Sequence, residues 1–105
     1  MNTTTLVLKL LENEAMYGYR IIEELSKRSG DVFRLKTGTL YPLLHGLEND
    51  GLVTSFDEKA DSQRVRKYYK ITPEGRGFLN KKQAEWTEYS GAVNKVMGGA
   101  YHAFG

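Results

Sequence analysis

The chain has 105 residues, no cysteine, 40% hydrophobic and 27% charged residues, and a formal net charge of +2. That is one domain of ordinary globular composition, with a core modest enough that pairing with a second copy would help. Disulfides, thiolate zinc sites and a membrane-spanning helix are excluded. The N-terminus also lacks the basic region and cleavage site of a signal peptide, so a cytoplasmic setting is expected.

Leu6, Val7, Leu10 and Leu11 recur at helical spacing and predict a first helix over Thr3–Asn13. Tyr19, Ile22 and Leu25, with Ile21 beside them, mark one face of a second helix over Gly18–Ser29, which the Gly30-Asp31 turn ends. Val32–Lys36 is a short connector. Leu40, Leu43, Leu44 and Leu47 then give a third helix its apolar stripe. Proline is tolerated in a first turn, so Pro42 puts the start near Thr37–Thr39, with one threonine as N-cap. Asn49-Asp50-Gly51 ends this helix, with Gly51 free to turn left-handed.

Leu52–Phe56 and Val65–Ile71 are rich in β-branched and aromatic residues and flank the polar run DEKADSQR. They predict an antiparallel hairpin with a long tip, in which either Tyr68 or Tyr69 points to the core. Thr72-Pro73-Glu74 supplies a hydroxyl N-cap, a proline at the first helical position and an early acid, so a last helix starts there. Leu79, Trp86, Tyr89, Val93 and Val96 step along it as a two-position seam that Lys82 interrupts. Gly98-Gly99 closes it, and residues 101–105 are expected to be a frayed end.

Helix, helix, helix, hairpin, long helix is the order of a winged helix-turn-helix. The expected fold is therefore mainly α with a β-hairpin, a DNA-binding domain over 1–72 and a dimerisation helix and tail over 73–105. In that layout the third helix enters the major groove, and its first turn presents Thr37, Thr39 and Tyr41. Their hydroxyls suit phosphates, and a threonine methyl suits a thymine methyl. Tyr41 packed on the hairpin is the plainer reading of that side chain. The charge is unevenly spread: residues 1–63 sum to −3, 64–82 to +6 and 83–105 to −1. Such a basic stripe suits a polyanion, and seen alone it reads equally as a solvated charged face; it places Arg64, Arg66 and Lys67 on the wing's return strand.

No serine elbow, phosphate loop or catalytic carboxylate pair appears, so neither an enzyme nor a cofactor is expected. His45 and His102 lack metal-ligand spacing, and His45 reads as a half-exposed helix residue rather than a base reader. The seam of Leu79, Trp86, Tyr89, Val93 and Val96 needs more cover than one chain offers. A two-fold homodimer built with Leu6 and Leu10 of the first helix would supply it. Trp86 then anchors the dimer core, or faces its symmetry mate so that the two indoles, with Tyr89 beside them, form a flat slot for a planar aromatic effector; the two roles are compatible.

The segments YGY at 17–19, GTLYPLL at 38–44, LENDGLV at 47–53 and RKYYKITPEG at 66–75 strongly resemble the PadR family of bacterial transcriptional regulators. The resemblance spans roughly residues 6–80, and the single final helix is similar to the smaller members. It implies a homodimeric repressor of efflux or detoxification genes, bound to a double-stranded DNA operator and released by a small ligand. It also implies DNA-facing positions at Tyr17, Tyr19, Lys36, Thr37, Thr39, Tyr41, Arg64, Arg66 and Lys67. Family members often carry a basic residue where this chain has Gly46. A winged helix that binds protein instead of DNA is the competing class, and only DNA binding would weaken steeply with salt.

Overall fold

Asn2 opens the first helix: its side-chain Oδ1 accepts the Thr5 N–H and hydroxyl, each at 3.0 Å, in a computed structural model that describes residues 1–60 and 64–98. Helix α1 covers Thr3–Leu10 and buries Val7, Leu8 and Leu10, with Leu11 just past its end. It stops short of the expected Asn13. The Glu12 N–H bonds to the Lys9 carbonyl at 3.2 Å, a tighter turn that ends the helix before the chain enters a strand.

That strand, β1 at Met16–Tyr17, is an element the sequence reading does not contain. It runs directly into α2, Gly18–Arg28. Ile21 and Leu25 are the buried side chains of α2 and Ile22 is half-buried. Tyr19, expected on that face, is instead 65% exposed.

Helix α3 spans Thr37–Asn49 and seats Leu40, Leu44 and Leu47 in the core. Two details differ from expectation. Lys36, not a threonine, is the N-cap, and no side chain caps the helix. Pro42 lies inside the helix rather than in its first turn. The missing N–H leaves only the Gly38 carbonyl without its helical partner, and Gly38 is exposed to water. The end is as expected. Gly51 takes φ 74°, its N–H bonds to the Glu48 carbonyl at 3.0 Å, and the Leu52 N–H bonds to the Leu47 carbonyl at 2.9 Å.

Strands β2, Val53–Lys59, and β3, Val65–Ile71, form the hairpin, and β1 adds to the free side of β3 in the order β1-β3-β2. The register pairs Phe56 with Tyr68 and Met16 with Tyr69. Side chains alternate across a strand, so Met16, Val53, Tyr69 and Ile71 share the buried face while Tyr17, Phe56 and Tyr68 share the outer one. Because β2 continues to Lys59, the tip is shorter than expected; residues 61–63 of that tip lie outside the described residues.

Helix α4, Pro73–Val96, begins as expected: the Thr72 side chain accepts the Gly75 N–H at 3.0 Å, and Pro73 and Glu74 fill the first turn. The Thr72 hydroxyl also donates to the Gly51 carbonyl at 2.7 Å, tying the end of α3 to the start of α4. Leu79 is fully buried, but farther along Trp86, Tyr89, Val93 and Val96 are exposed. Leu79 and Leu10, at 0% and 5% exposure, are thus core residues of the single chain rather than exposed interface residues. Ser90 and Thr87 turn their hydroxyls onto the Trp86 and Gln83 carbonyls just ahead of Gly91, an arrangement that bends helices. Gly98, at φ 81°, closes the helix; Gly99, His102 and the end expected to fray lie outside the described residues. The molecule measures 56 × 28 × 23 Å, and α4 accounts for much of its length at about 1.5 Å per residue.

Candidate nucleic-acid interface

Helices α2 and α3 approach each other closely at Gly18 and Tyr41. A Cβ placed on Gly18 would come within 2.8 Å of Cζ of Tyr41, and closer still to its hydroxyl. Only the absence of a side chain at the first position of α2 lets the Tyr41 ring lie there. Tyr41 is half-buried and packs against the core. The packing expected on the hairpin side is therefore partly met by α2.

Tyr41 lines two neighbouring depressions. One, of about 360 Å³, runs from the start of α2 to the wing and is lined by Tyr17, Tyr19, Tyr41, Arg64, Arg66 and Lys67. The other continues along α3 past Tyr19, Thr37, Pro42 and His45. Seven of the nine residues expected to face DNA thus line these two adjoining depressions, although they come from β1, α2, α3 and the stretch from Arg64 into β3. Lys36 and Thr39 do not line it. Both are exposed at the N-terminal end of α3, where the Lys36 carbonyl accepts the Thr39 and Leu40 N–H groups at 3.0 and 2.9 Å.

The electrostatics suit an anion. Arg66 and Lys67 are exposed on β3, and Arg64 is exposed immediately before it. Among the described residues neither they nor Lys36 is held in an ion pair, whereas Arg20, Arg28, Arg34, Lys9 and Lys82 all are. Arg66 has a different partner: its guanidinium lies 4.3 Å from the centre of the Tyr17 ring. The uncapped start of α3 adds the positive end of a helix dipole to the same surface.

Beneath the groove Tyr69 is buried, and its phenol pKa is raised above 10.0, first by burial, then by the nearby Glu48 and Tyr41. The Ser55 hydroxyl donates to Glu48 Oε2 at 2.6 Å and fixes that carboxylate. Tyr69 is therefore the core member of its pair and Tyr68 the outward one.

Sequence reasoning missed Gly18, Pro42 and His45 as parts of this surface. Gly18 carries no side chain to attract notice, and its role shows only once Tyr41 is seen against it. His45 is exposed, a turn beyond Tyr41 on α3, rather than half-exposed.

The expected ligand residues line a separate cavity of about 750 Å³, where Trp86, Tyr89, Lys82 and Glu85 of α4 face Met1, Asn2 and Thr5. Lys82 and Glu85 pair there at 3.3 Å, and the Trp86 and Tyr89 rings sit 6.0 Å apart.

Residues 7–81 match the sequence profile of the transcriptional regulator PadR-like family. A transcriptional regulator of Mycobacterium tuberculosis is 37% identical over 94 residues, covering 90% of this chain and 80% of its own. Among solved structures, a PadR family transcription regulator from Clostridium difficile superposes with a TM-score of 0.77 at 32% identity, covering 90% of this chain and 96% of its own. A transcriptional regulator from Clostridium thermocellum superposes at 0.78 with 31% identity, over 89% and 90% of the two chains.

Proposed function

We propose that this chain, which belongs to the PadR-like family of DNA-binding transcriptional regulators, is a repressor that grips its operator as a two-fold dimer and lets go when a small aromatic ligand binds. The observation that carries the DNA contact is the groove. Segments far apart in sequence, at 17–19, 37–45 and 64–67, bring aromatic, hydroxyl and cationic side chains to one face, the cations held in no ion pair among the described residues. Thr37, Thr39, Tyr41 and Tyr19 set the register of α3 in the major groove, while Lys36, Arg64, Arg66 and Lys67 hold phosphates. Tyr17 borders the same groove.

The dimer reading rests on exposed apolar surface. Trp86, Tyr89, Val93 and Val96 follow one another along the outer half of α4, with Met97 at its C-cap, and among the described residues each stays at least 38% exposed, while Leu6 on α1 is half-buried. A second copy of α4 would cover them. The effector reading rests on the Trp86–Tyr89 cavity, whose rings suit a planar aromatic guest and which is separate from the DNA groove. Release follows if the guest prefers one arrangement of the two subunits over the other. Repression places the protein with the chromosome, in the cytoplasm. No helix among the described residues is long and apolar enough to cross a membrane.

The test is a salt titration of operator binding with two variants. Arg66→Ala should weaken binding to all duplexes alike and lower the salt slope by about one unit. Tyr41→Ala should reduce operator binding more than non-specific binding. If both variants bind the operator like the parent, or if the parent's binding ignores salt, the surface serves a protein partner instead.

A further inference from the structure

The outer face of the three-stranded sheet carries a row of aromatic rings that ends under Arg66. Phe56 stacks on Tyr68, with centroids 5.6 Å apart and planes 13° from parallel. Tyr68 meets Tyr17 edge-on at 5.5 Å. Tyr17 in turn carries the Arg66 guanidinium at 4.3 Å. The register explains the row: Phe56 and Tyr17 are the two cross-strand partners of Tyr68, and Arg66 is the diagonal neighbour of Tyr17, two residues along β3.

We infer that Phe56, Tyr68 and Tyr17 are positioning residues that hold the Arg66 guanidinium ready for a DNA phosphate, without any of the three rings contacting DNA for affinity. An exposed arginine has several rotatable bonds, and fixing them on binding opposes affinity. A ring face beneath the guanidinium restricts those rotations beforehand while leaving the N–H edges free. Tyr17 alone would be a weak platform, since it is half-buried at the end of a two-residue strand. The edge of Tyr68 fixes its ring plane, and Phe56, 40% exposed and with no core to fill, braces Tyr68. The placement of Phe56 is otherwise unaccounted for: a large apolar side chain on the solvent face of the wing. Glu58 lies directly across from Arg66 in the register, yet the guanidinium is on the ring and not in an ion pair with it.

The inference rests on the reading that Arg66 meets DNA, and a double-mutant cycle separates the two. Affinity for a random-sequence duplex is measured for Tyr17→Leu, Tyr68→Leu and Phe56→Leu, each in the parent and in an Arg66→Ala background, with folding checked by circular dichroism. In the parent background Tyr17→Leu and Tyr68→Leu should each weaken binding roughly two- to five-fold, and Phe56→Leu somewhat less. In the Arg66→Ala background all three should change nothing. Tyr17→Phe and Tyr68→Phe keep the rings, fold as safely as the parent, and should bind like it. Equal losses in both backgrounds would overturn the inference, because the rings would then act on DNA directly or through the fold. So would Tyr68→Phe or Tyr17→Phe binding as weakly as the leucine variants, since the hydroxyl would be the active group. If Arg66→Ala itself leaves affinity and salt slope unchanged, the wing's phosphate contact fails first, and the positioning role goes with it.

Discussion

At the scale of single residues, Gly18 and Tyr69 make the sharpest predictions. Gly18→Ala forces a Cβ into the Tyr41 ring. The ring must move, because the backbone of α2 is pinned by β1. Overpacking of this kind costs about 1–3 kcal/mol. A lower melting temperature and weaker operator binding should therefore appear together, although residue 18 itself offers DNA nothing. Tyr69 sets an alkaline limit. Its folded pKa lies above the unfolded value of 10.0, so the folded state holds the phenol proton more tightly. That contribution is fully present below pH 10 and is lost as the pH climbs from 10 through the raised value. Tyr69→Phe should flatten the alkaline arm of a stability–pH curve measured by denaturant titration. An unchanged arm would place the titrating group elsewhere.

At the scale of elements, α3 and α4 differ in how well their ends are secured. Thr72 caps α4 and also bonds to the Gly51 carbonyl, so Thr72→Ala removes two bonds at the junction of three elements. A loss of about 1–2 kcal/mol in denaturant unfolding is expected. Helix α3 has slack to take up instead. Gly46 is exposed mid-helix, and a Cβ there meets nothing within 4 Å. Gly46→Ala should stabilise the protein by about 1 kcal/mol. Gly46→Arg should do so too and add a phosphate contact, raising the salt slope of DNA binding by about 0.9. A Gly46→Arg variant with the parent's slope would show that this turn of α3 faces away from the duplex.

The elements that could be read from sequence are those whose signal is repeated. The leucines of α3, the Thr-Pro-Glu start of α4 and the left-handed Gly51 each combine several cues, and β3 was expected over the residues it occupies. Strand β1 escaped because two residues, Met16 and Tyr17, cannot display a period of two; only pairing with Tyr69 and Tyr68 makes them a strand. Tyr19 was misplaced for a related reason. An aromatic at helical spacing looks like core, but Ile21 and Leu25 already fill the α2 contact, and Tyr19 is left to the groove. Pro42 was expected at the helix edge because proline normally marks one. Gly38, exposed four residues earlier, is what makes the interior position tolerable.

At the scale of the whole molecule, the winged body and the outer half of α4 have opposite characters. The body holds the buried core, whereas beyond Leu79 no large apolar side chain of α4 is buried. In the proposed dimer this half of α4 faces its copy and spaces two recognition helices about 34 Å apart, one turn of DNA. Val93→Glu puts a charge in that contact and should leave a folded monomer in sedimentation. Operator affinity should fall by about two orders of magnitude, because the second half-site no longer comes with the first. A Val93→Glu protein that still sediments as a dimer would move the interface off α4.

No residue separates β1 from α2: Tyr17 ends the strand and Gly18 begins the helix. Since β1 is hydrogen-bonded to β3, the wing cannot tilt without dragging α2, and α2 cannot slide without disturbing the seat of Tyr41. The surface proposed to face DNA is therefore tied together through β1 and the seat of Tyr41. A one-residue insertion between 17 and 18 would be far more damaging than a point change at either position, because it would rotate the helix relative to a strand whose register is fixed. Whatever freedom the protein has to fit operators of different spacing must then be found outside this body. In the proposed dimer the stretch of α4 around Thr87, Ser90 and Gly91, whose hydroxyls bond back to the helix, is where that freedom is to be sought.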